Sequence, residues 1–436
     1  MTDQTVVQQV AQQVSETAVA VKDAVEQTAK AVVKPERQGT IVLAGFWGRG
    51  NAGDEAMLQC ITETLGDRFD YALSVSEHGA REGFWDWYPY KGRTIVNQGD
   101  ADIFGRIKKP LGIIVGGGGL PIGFAGGQVI AARSRGLKTV MAGVDIWRTR
   151  EAESPMAQEM RRYLGAMDAV YGRTANSVEN GVKAGCGDIV RLGADWALNL
   201  PTDRSPEVVD QPGRALVVLR EDNREALPEN YKEQILSLLA SISAAGKVPF
   251  FLPFSPEDDR FIDTMGLRGA APTENTWWNA RRLKQLIASS GMTVSVGRLH
   301  PLIFGAPTGR PVICINMERR DGGLRSLKLD YMCEDLGVPL YHTIQAFQAD
   351  MPNATRPADA KRIAASKARL NAQADHLRRV FTGQVESGKD KSAIQIVTST
   401  AETPTRMSTA RGLFDKLGLP GLRGRSPAAT DQVAAG

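Results

Sequence analysis

Cysteine is scarce in this chain. Four residues, Cys60, Cys186, Cys314 and Cys333, stand far apart among 436, with no Cys-x-x-Cys pair. That spacing argues against a disulfide framework and a cysteine-ligated zinc site, and it fits a reducing compartment. Histidine is equally rare at four residues, no cluster has metal-ligand spacing, and no metal is expected. Nowhere do apolar residues run on for the roughly 18 that a membrane helix requires. The first twenty residues are polar and Gln-rich, without a basic start followed by an apolar stretch. No signal peptide is therefore expected, and the cytoplasm is the expected location. A net charge of +4 is too small for a nucleic-acid binder, which gathers Lys and Arg on one face.

What the chain does have is alternation. Hydrophobic residues at 42% suffice for a core, and 436 residues allow two domains with extensions. Short apolar runs such as Gly39–Ala44, Leu111–Val115 and Thr139–Gly143 read as buried strands, and stretches such as Ala56–Leu65 and Gly127–Gly136 read as the helices between them. The pattern pauses at the Pro-, Asp- and Ser-rich residues 201–214, then restarts with Ala215–Leu219, Val248–Leu252, Met292–Val296 and Pro311–Asn316. The expected architecture is α/β: two Rossmann-like parallel-sheet domains, 38–203 and 204–345, facing a cleft. Residues 1–37 carry a narrow stripe of valine and alanine at helical spacing and form an N-terminal amphipathic extension. Residues 346–382 form a helix packing back across the halves, and 383–436 a flexible tail. Within that tail, Met407–Arg425 mixes leucines with arginines. Such a stretch can rest on an anionic membrane surface, although a plain solvated tail is the stronger expectation. Nothing in the sequence points to an oligomeric state.

Ser295–His300 ends one of these strands and brings Arg298 and His300 to the open end of a sheet, where ligands of α/β proteins bind. Such a pair can hold an anion and move a proton; the competing reading is a salt-bridging arginine beside a structural histidine. Arg220 ends the strand Ala215–Leu219 in the same way. In the other half, Gly45–Glu55 is a glycine-rich loop between a strand and a helix, a layout that aims N–H groups at an anion. Its spacing fits neither the dinucleotide fingerprint nor a P-loop. Asp54 and Glu55 also suit a helix N-terminus electrostatically, and for Glu55 that is the stronger explanation. The aromatic stretch Phe84–Tyr90 is suited to packing beneath a loop or to stacking against a sugar.

Taken in order, these motifs resemble those of the polysaccharide pyruvyl transferases. The resemblance rests on the loop Gly45–Ala56, the glycine run Gly116–Gly119, and Arg173 followed by Ser177, Gly185 and Asp195-Trp196-Ala197. It continues through Arg220, Arg298-Leu299-His300, and Lys328 nine residues before Gly337. It spans about residues 40–340. It implies a fold like that of two-Rossmann glycosyltransferases, and transfer of the pyruvyl group of phosphoenolpyruvate to two hydroxyls of a sugar in cell-surface polysaccharide synthesis. It further implies phosphoenolpyruvate as co-substrate with no other cofactor, a sugar or lipid-linked oligosaccharide as acceptor, and a position at the inner face of the membrane. Arg220, Arg298, the Leu299 backbone and Lys328 are then expected to hold the donor. His300 is expected to act as acid and later base, and Asp54 to hold or deprotonate the acceptor. Gly48, Asn51, Gly53, Glu55, Gly117 and Gly118 form the acceptor-side loops. The chain departs from the family at Leu120–Gly123 and at Thr174, both in the acceptor half. The competing functions are a glycosyltransferase using a nucleotide sugar and an inactive scaffold in polysaccharide assembly.

Overall fold

A computed structural model describes residues 37–75, 90, 92–100, 102–119, 123–146, 154–202, 209–220, 228–317 and 328–383. The N-terminal stripe up to residue 36, the aromatic residues 84–89, Leu120–Ile122 and the basic stretch 407–425 lie outside them. The described residues gather into one compact unit, within which two parallel sheets form two halves.

The first half runs β1 (Gly39–Ala44), α1 (Ala52–Leu65), β2 (Phe69–Val75), β3 (Thr94–Asn97), β4 (Pro110–Gly116), α2 (Gly126–Ser134), β5 (Lys138–Val144), α3 (Pro155–Gly165), β6 (Ala169–Gly172), α4 (Ala175–Lys183) and β7 (Val190–Leu192). A 3-10 turn, Trp196–Asn199, follows. Its sheet has the order β3-β2-β1-β4-β5-β6-β7. All six residues of β1 are buried, because helices cover both faces of a parallel sheet and leave no solvated side.

The second half runs β8 (Gln211–Leu219), α5 (Tyr231–Ala244), β9 (Val248–Phe251), α6 (Pro256–Thr264), α7 (Ala280–Ser289), β10 (Ser290–Val296), α8 (His300–Gly305), β11 (Val312–Ile315), α9 (Lys328–Leu336), β12 (Leu340–Tyr341), α10 (Ile344–Ala349), α11 (Met351–Ala354) and α12 (Ala360–Phe381). Its order is β12-β11-β10-β8-β9. In both sheets the strand order reverses beside the first strand, at β1/β4 and at β8/β10, and the crevice outside such a reversal is where α/β sheets take ligands.

Several elements differ from the sequence expectation. α1 begins at Ala52 rather than Ala56, since Asn51 caps it by accepting from Gly53 N at 3.2 Å. The sequence pattern assigns neither α3 nor α6. Each starts on a serine cap followed by proline, Ser154-Pro155 and Ser255-Pro256, which pre-sets the first turn. β3 was also missed; it is an edge strand of four residues, none of them fully buried.

The halves are tied directly. Ala52 N donates to Phe254 O at 2.8 Å, and Lys284 Nζ on α7 donates to Leu200 O. α12 returns from the second half to the first, where Gln373 Oε1 accepts from Ala194 N at 3.2 Å. Arg369 joins Asp335 at 2.7 Å to the carbonyl of Gly193 at 3.2 Å. One apolar cluster runs through both halves, with Trp47 and Trp196 from the first and Phe254 and Phe304 from the second. The four cysteines are buried and form no disulfide with one another. Among the described residues no helix is long and apolar enough to cross a membrane.

Candidate active site

The carboxyl end of β1 opens into a loop that turns through Gly48 and Gly50, both at φ +76°. At that sign of φ a side chain would collide with its own backbone. Trp47 folds under the loop, fully buried, and fills the space that side chains on Gly45 and Gly117 would need. Glu55 on α1 holds the loop closed: its Oε1 accepts from Gly48 N at 2.9 Å and Arg49 N at 3.3 Å, and Oε2 accepts from the Tyr90 hydroxyl. Burial lifts the Glu55 carboxyl to about 7, against the opposing hydrogen bond from Tyr90. Glu55 is thus engaged as the brace of the loop.

Asp54, the next residue back, faces the other way. Its Oδ2 accepts from Asn51 Nδ2 at 2.6 Å, while Oδ1 is buried with no hydrogen-bond partner. Oδ1 lies 2.8 Å from where a side chain on Gly118 would begin, and Gly118 sits at φ +83°. The glycine run after β4 therefore lets the backbone close over this carboxylate. Burial raises the Asp54 carboxyl to about 6, with Arg173, Arg298 and Lys328 pulling it down and Asp195 pushing it up.

Arg173, after β6, is a fully buried cation between two carboxylates. Its Nε donates to Asp145 Oδ1 at 2.9 Å, its Nη2 donates to Asp145 Oδ2, and its Nη1 donates to Asp195 Oδ2 at 2.9 Å. Burial alone would lower its affinity for a proton, and the two aspartates outweigh that. Thr174 caps α4 by accepting from Ser177 N at 3.3 Å, a task an uncharged hydroxyl fulfils.

In the second half, Gly297 turns the chain at φ +80° beside Arg220, whose Cβ lies 3.6 Å from the place a Gly297 side chain would occupy. Arg298 is gripped from behind. Its Nε donates to Asp258 Oδ2 at 2.8 Å, and its Nη2 donates to Asp258 Oδ1 and Ser255 Oγ at 2.7 Å each. Both partners open α6, so this ion pair is made within the second half. Leu299 is buried, and its carbonyl accepts from Leu302 N at 3.0 Å in the first turn of α8.

His300, the first residue of α8, is buried. A side chain on Gly53 would run into its ring at Nδ1, so the imidazole of one half seats on the bare backbone of the other. Its Nε2 is buried without a hydrogen-bond partner, 3.8 Å from Asp195 Oδ2. Burial holds its pKa well below the ordinary histidine value, helped by Arg173, Arg298 and Lys328. At neutral pH the ring is uncharged. Lys328, at the head of α9, acts electrostatically on both Asp54 and His300.

The family model for polysaccharide pyruvyl transferase matches residues 51–319. The chain belongs to the polysaccharide pyruvyl transferase family. As a member it is a transferase, and its match runs from the Asn51 cap through Arg298 and His300. No curated protein matches this chain in sequence. Among solved structures, a UDP-GlcNAc 2-epimerase from Methanocaldococcus jannaschii is similar at 11% identity and TM-score 0.53, over 78% of this chain and 99% of that one. A putative UDP-N-acetylglucosamine 2-epimerase from Listeria monocytogenes is similar at 12% identity and TM-score 0.51, over 81% and 99%. At such identities the likeness is one of fold: two parallel-sheet halves around a crevice.

Sequence reading named Arg298 and His300 and did not foresee the side chains that stand against them. Asp145, Ser255 and Asp258 had no assigned role, and Arg173 and Asp195 were recognised only as members of a motif. A local signal existed for the second-half pair, since Ser255-Pro256-Glu257-Asp258 is a helix start. None existed for Asp145, which meets Arg173 only through the pairing of neighbouring strands.

Proposed function

We propose that this protein transfers the pyruvyl group of phosphoenolpyruvate to two hydroxyls of one sugar, forming a pyruvate ketal and releasing inorganic phosphate. The observation that carries this reading is an uncharged, buried imidazole set among cations at the carboxyl end of β10, opposite a carboxyl that burial lifts to about 6. A donor with a carboxylate and a phosphate requires several positive groups, and arginine suits both anions through its planar fork. Arg298, pre-aimed by Asp258 and Ser255, Lys328, Arg220 and the backbone at Leu299 are assigned to it.

The charge arithmetic supports a sequence of events. In the empty site burial, helped by the cations, keeps His300 neutral. A bound donor brings compensating negative charge, so His300 takes up a proton as the donor binds. The imidazolium then gives that proton to the terminal carbon of the enol, whose π electrons form the new C–H bond. A sugar hydroxyl adds to the neighbouring carbon, and its proton passes to the now neutral imidazole. Cleavage of the carbon–oxygen bond expels phosphate, which the cations stabilise as its charge develops. The second hydroxyl closes the ketal, and its proton leaves with phosphate. Asp54, across the crevice and braced by Asn51, is assigned to hold the sugar hydroxyls. The acceptor is assigned as a polysaccharide repeat or its lipid-linked precursor at the inner face of the membrane.

The test is incubation with phosphoenolpyruvate and a panel of hexose glycosides. Acceptor-dependent release of inorganic phosphate, together with a product heavier by pyruvate less water, is the expected result. Consumption of a nucleotide sugar in place of phosphoenolpyruvate would make the protein a glycosyltransferase. Failure to bind either would leave it a scaffold.

A further inference from the structure

We propose that Asp195 is the positioning carboxylate of His300, fixing the proton of the neutral ring on Nε2 so that Nδ1 is the atom that exchanges protons with the substrate. The role rests on the reading of His300 given above; the geometry does not. Asp195 is buried. Its Oδ1 accepts from Ala197 N at 2.9 Å and its Oδ2 from Arg173 Nη1 at 2.9 Å. Both bonds hold the carboxylate still, and the second oxygen is left facing His300 Nε2 at 3.8 Å.

That nitrogen is buried and unpartnered, and leaving a buried ring nitrogen without a partner costs free energy. At 3.8 Å the approach is too long for a hydrogen bond, and catalytic bonds of this kind commonly tighten only with substrate in place. Nδ1 lies at the opposite edge of the ring, in the room that Gly53 leaves by having no side chain, at the head of the loop that carries Asp54. Which ring nitrogen holds the proton is set by the partner of the other, and among the described residues the anion placed beside Nε2 is Asp195. Around this pair stand Arg173 and Asp145 from the first half, Arg298 and Lys328 from the second, Asp54 at the loop, and Phe304 along the same helix with its ring 6.3 Å away. Among the described residues, Asp195 is the carboxylate that faces Nε2 and can accept a hydrogen bond from it.

Asp195→Asn makes the test. The asparagine oxygen keeps the cap on Ala197 N, which turns its NH2 toward Arg173 and Nε2. The ring then accepts at Nε2 and moves its proton to Nδ1. We expect kcat to fall by about two orders of magnitude or more, the scale seen when a histidine is held in the wrong tautomer, with the KM for phosphoenolpyruvate changed little. The alkaline limb of the kcat profile should move to lower pH, since the imidazolium loses its anion. Asp195→Glu should recover much of the activity.

The ring itself is read by nitrogen-15 chemical shifts of the full chain at neutral pH without any ligand, with His300 assigned from the signal lost in His300→Gln. A wild-type ring protonated on Nε2 and a variant ring protonated on Nδ1 are expected. A wild-type ring protonated on Nδ1 overturns the inference outright, even if Asp195→Asn fails to fold. If phosphoenolpyruvate is never turned over, the functional reading falls while the Nε2 proton still decides the role of Asp195. Turnover with an unmoved pH limb in Asp195→Asn defeats the inference alone.

Discussion

His300 and Gly53 occupy complementary volumes: the imidazole of the second half lies where a side chain on Gly53 of the first would start. Gly53 is in the first turn of α1 and has no positive φ, so conformational freedom does not explain it. Alanine there would favour the helix by up to about 1 kcal/mol. The collision with the ring should outweigh that, since overpacking costs about 1–3 kcal/mol. Gly53→Ala is expected to lower the melting temperature modestly and to cut pyruvyl transfer at least about a hundredfold by displacing the ring, because small misplacements of a catalytic group carry such penalties. Thermal unfolding beside a phosphate-release assay reads both effects. Unchanged activity would show that the ring relocates freely.

Arg298 depends on Asp258 for its aim. Asp258 is completely buried, and both its oxygens accept from the guanidinium. Asp258→Asn keeps one acceptor and removes the charge, so the fork loses its fixed plane. A hydrogen bond to a charged group is worth about 1.5–3 kcal/mol, so the KM for phosphoenolpyruvate should rise about tenfold or more. The effect on kcat should be smaller, because His300 is seated from the other half. Steady-state kinetics at varied donor concentration separate the two, and an unaltered KM would remove Arg298 from donor binding.

The alternation of apolar runs and helices was enough to read two parallel sheets, because buried parallel strands are written as continuous runs such as Ile41-Val42-Leu43. What escaped were short elements whose signal is one cap. Nine-residue α6 offers a capping serine before it and a proline and three acids in its first turn, with too few turns for a helical period to register. At the site, Arg298 and His300 were legible because a polar pair at the end of an apolar strand is conspicuous. Asp258 and Asp195 were not legible as partners. Each meets its charge through strand order, and that contact leaves no local pattern. The N-terminal boundary of α1 was misread for the opposite reason: Asn51-Ala52-Gly53 looks like loop, and only the cap on Asn51 and the ring against Gly53 make glycine acceptable there.

Asp54 should trade stability for function. Its carboxyl titrates at about 6 when folded, against a usual value of 3.8. The folded state therefore holds its proton more tightly than the unfolded chain does. The associated stability is fully present below pH 4 and is lost as pH rises through 6. At neutral pH the ionised group costs up to about 3 kcal/mol, taken from roughly two pH units at 1.36 kcal/mol each. Asp54→Asn should thus be more stable than wild type at pH 7.5 and no more stable near pH 4, while losing transfer to the sugar. Urea titrations at the two pH values check the sign, and equal gains at both would reject a raised carboxyl.

Binding of phosphoenolpyruvate should draw a proton from solution. His300 is neutral in the empty site because burial and three cations oppose its charge, and the anionic donor offsets those cations. The phosphate could release its own proton and mask the uptake, so the measurement belongs at a pH where phosphoenolpyruvate is already fully ionised. Calorimetry in buffers of different ionisation enthalpy should then give a binding enthalpy that changes with buffer, at close to one proton taken up per site. The same experiment on His300→Gln should lose that dependence while retaining donor binding, because the cations remain. Uptake that persists in the variant would assign the proton to Asp54 instead, whose pKa the donor's negative charge would also raise.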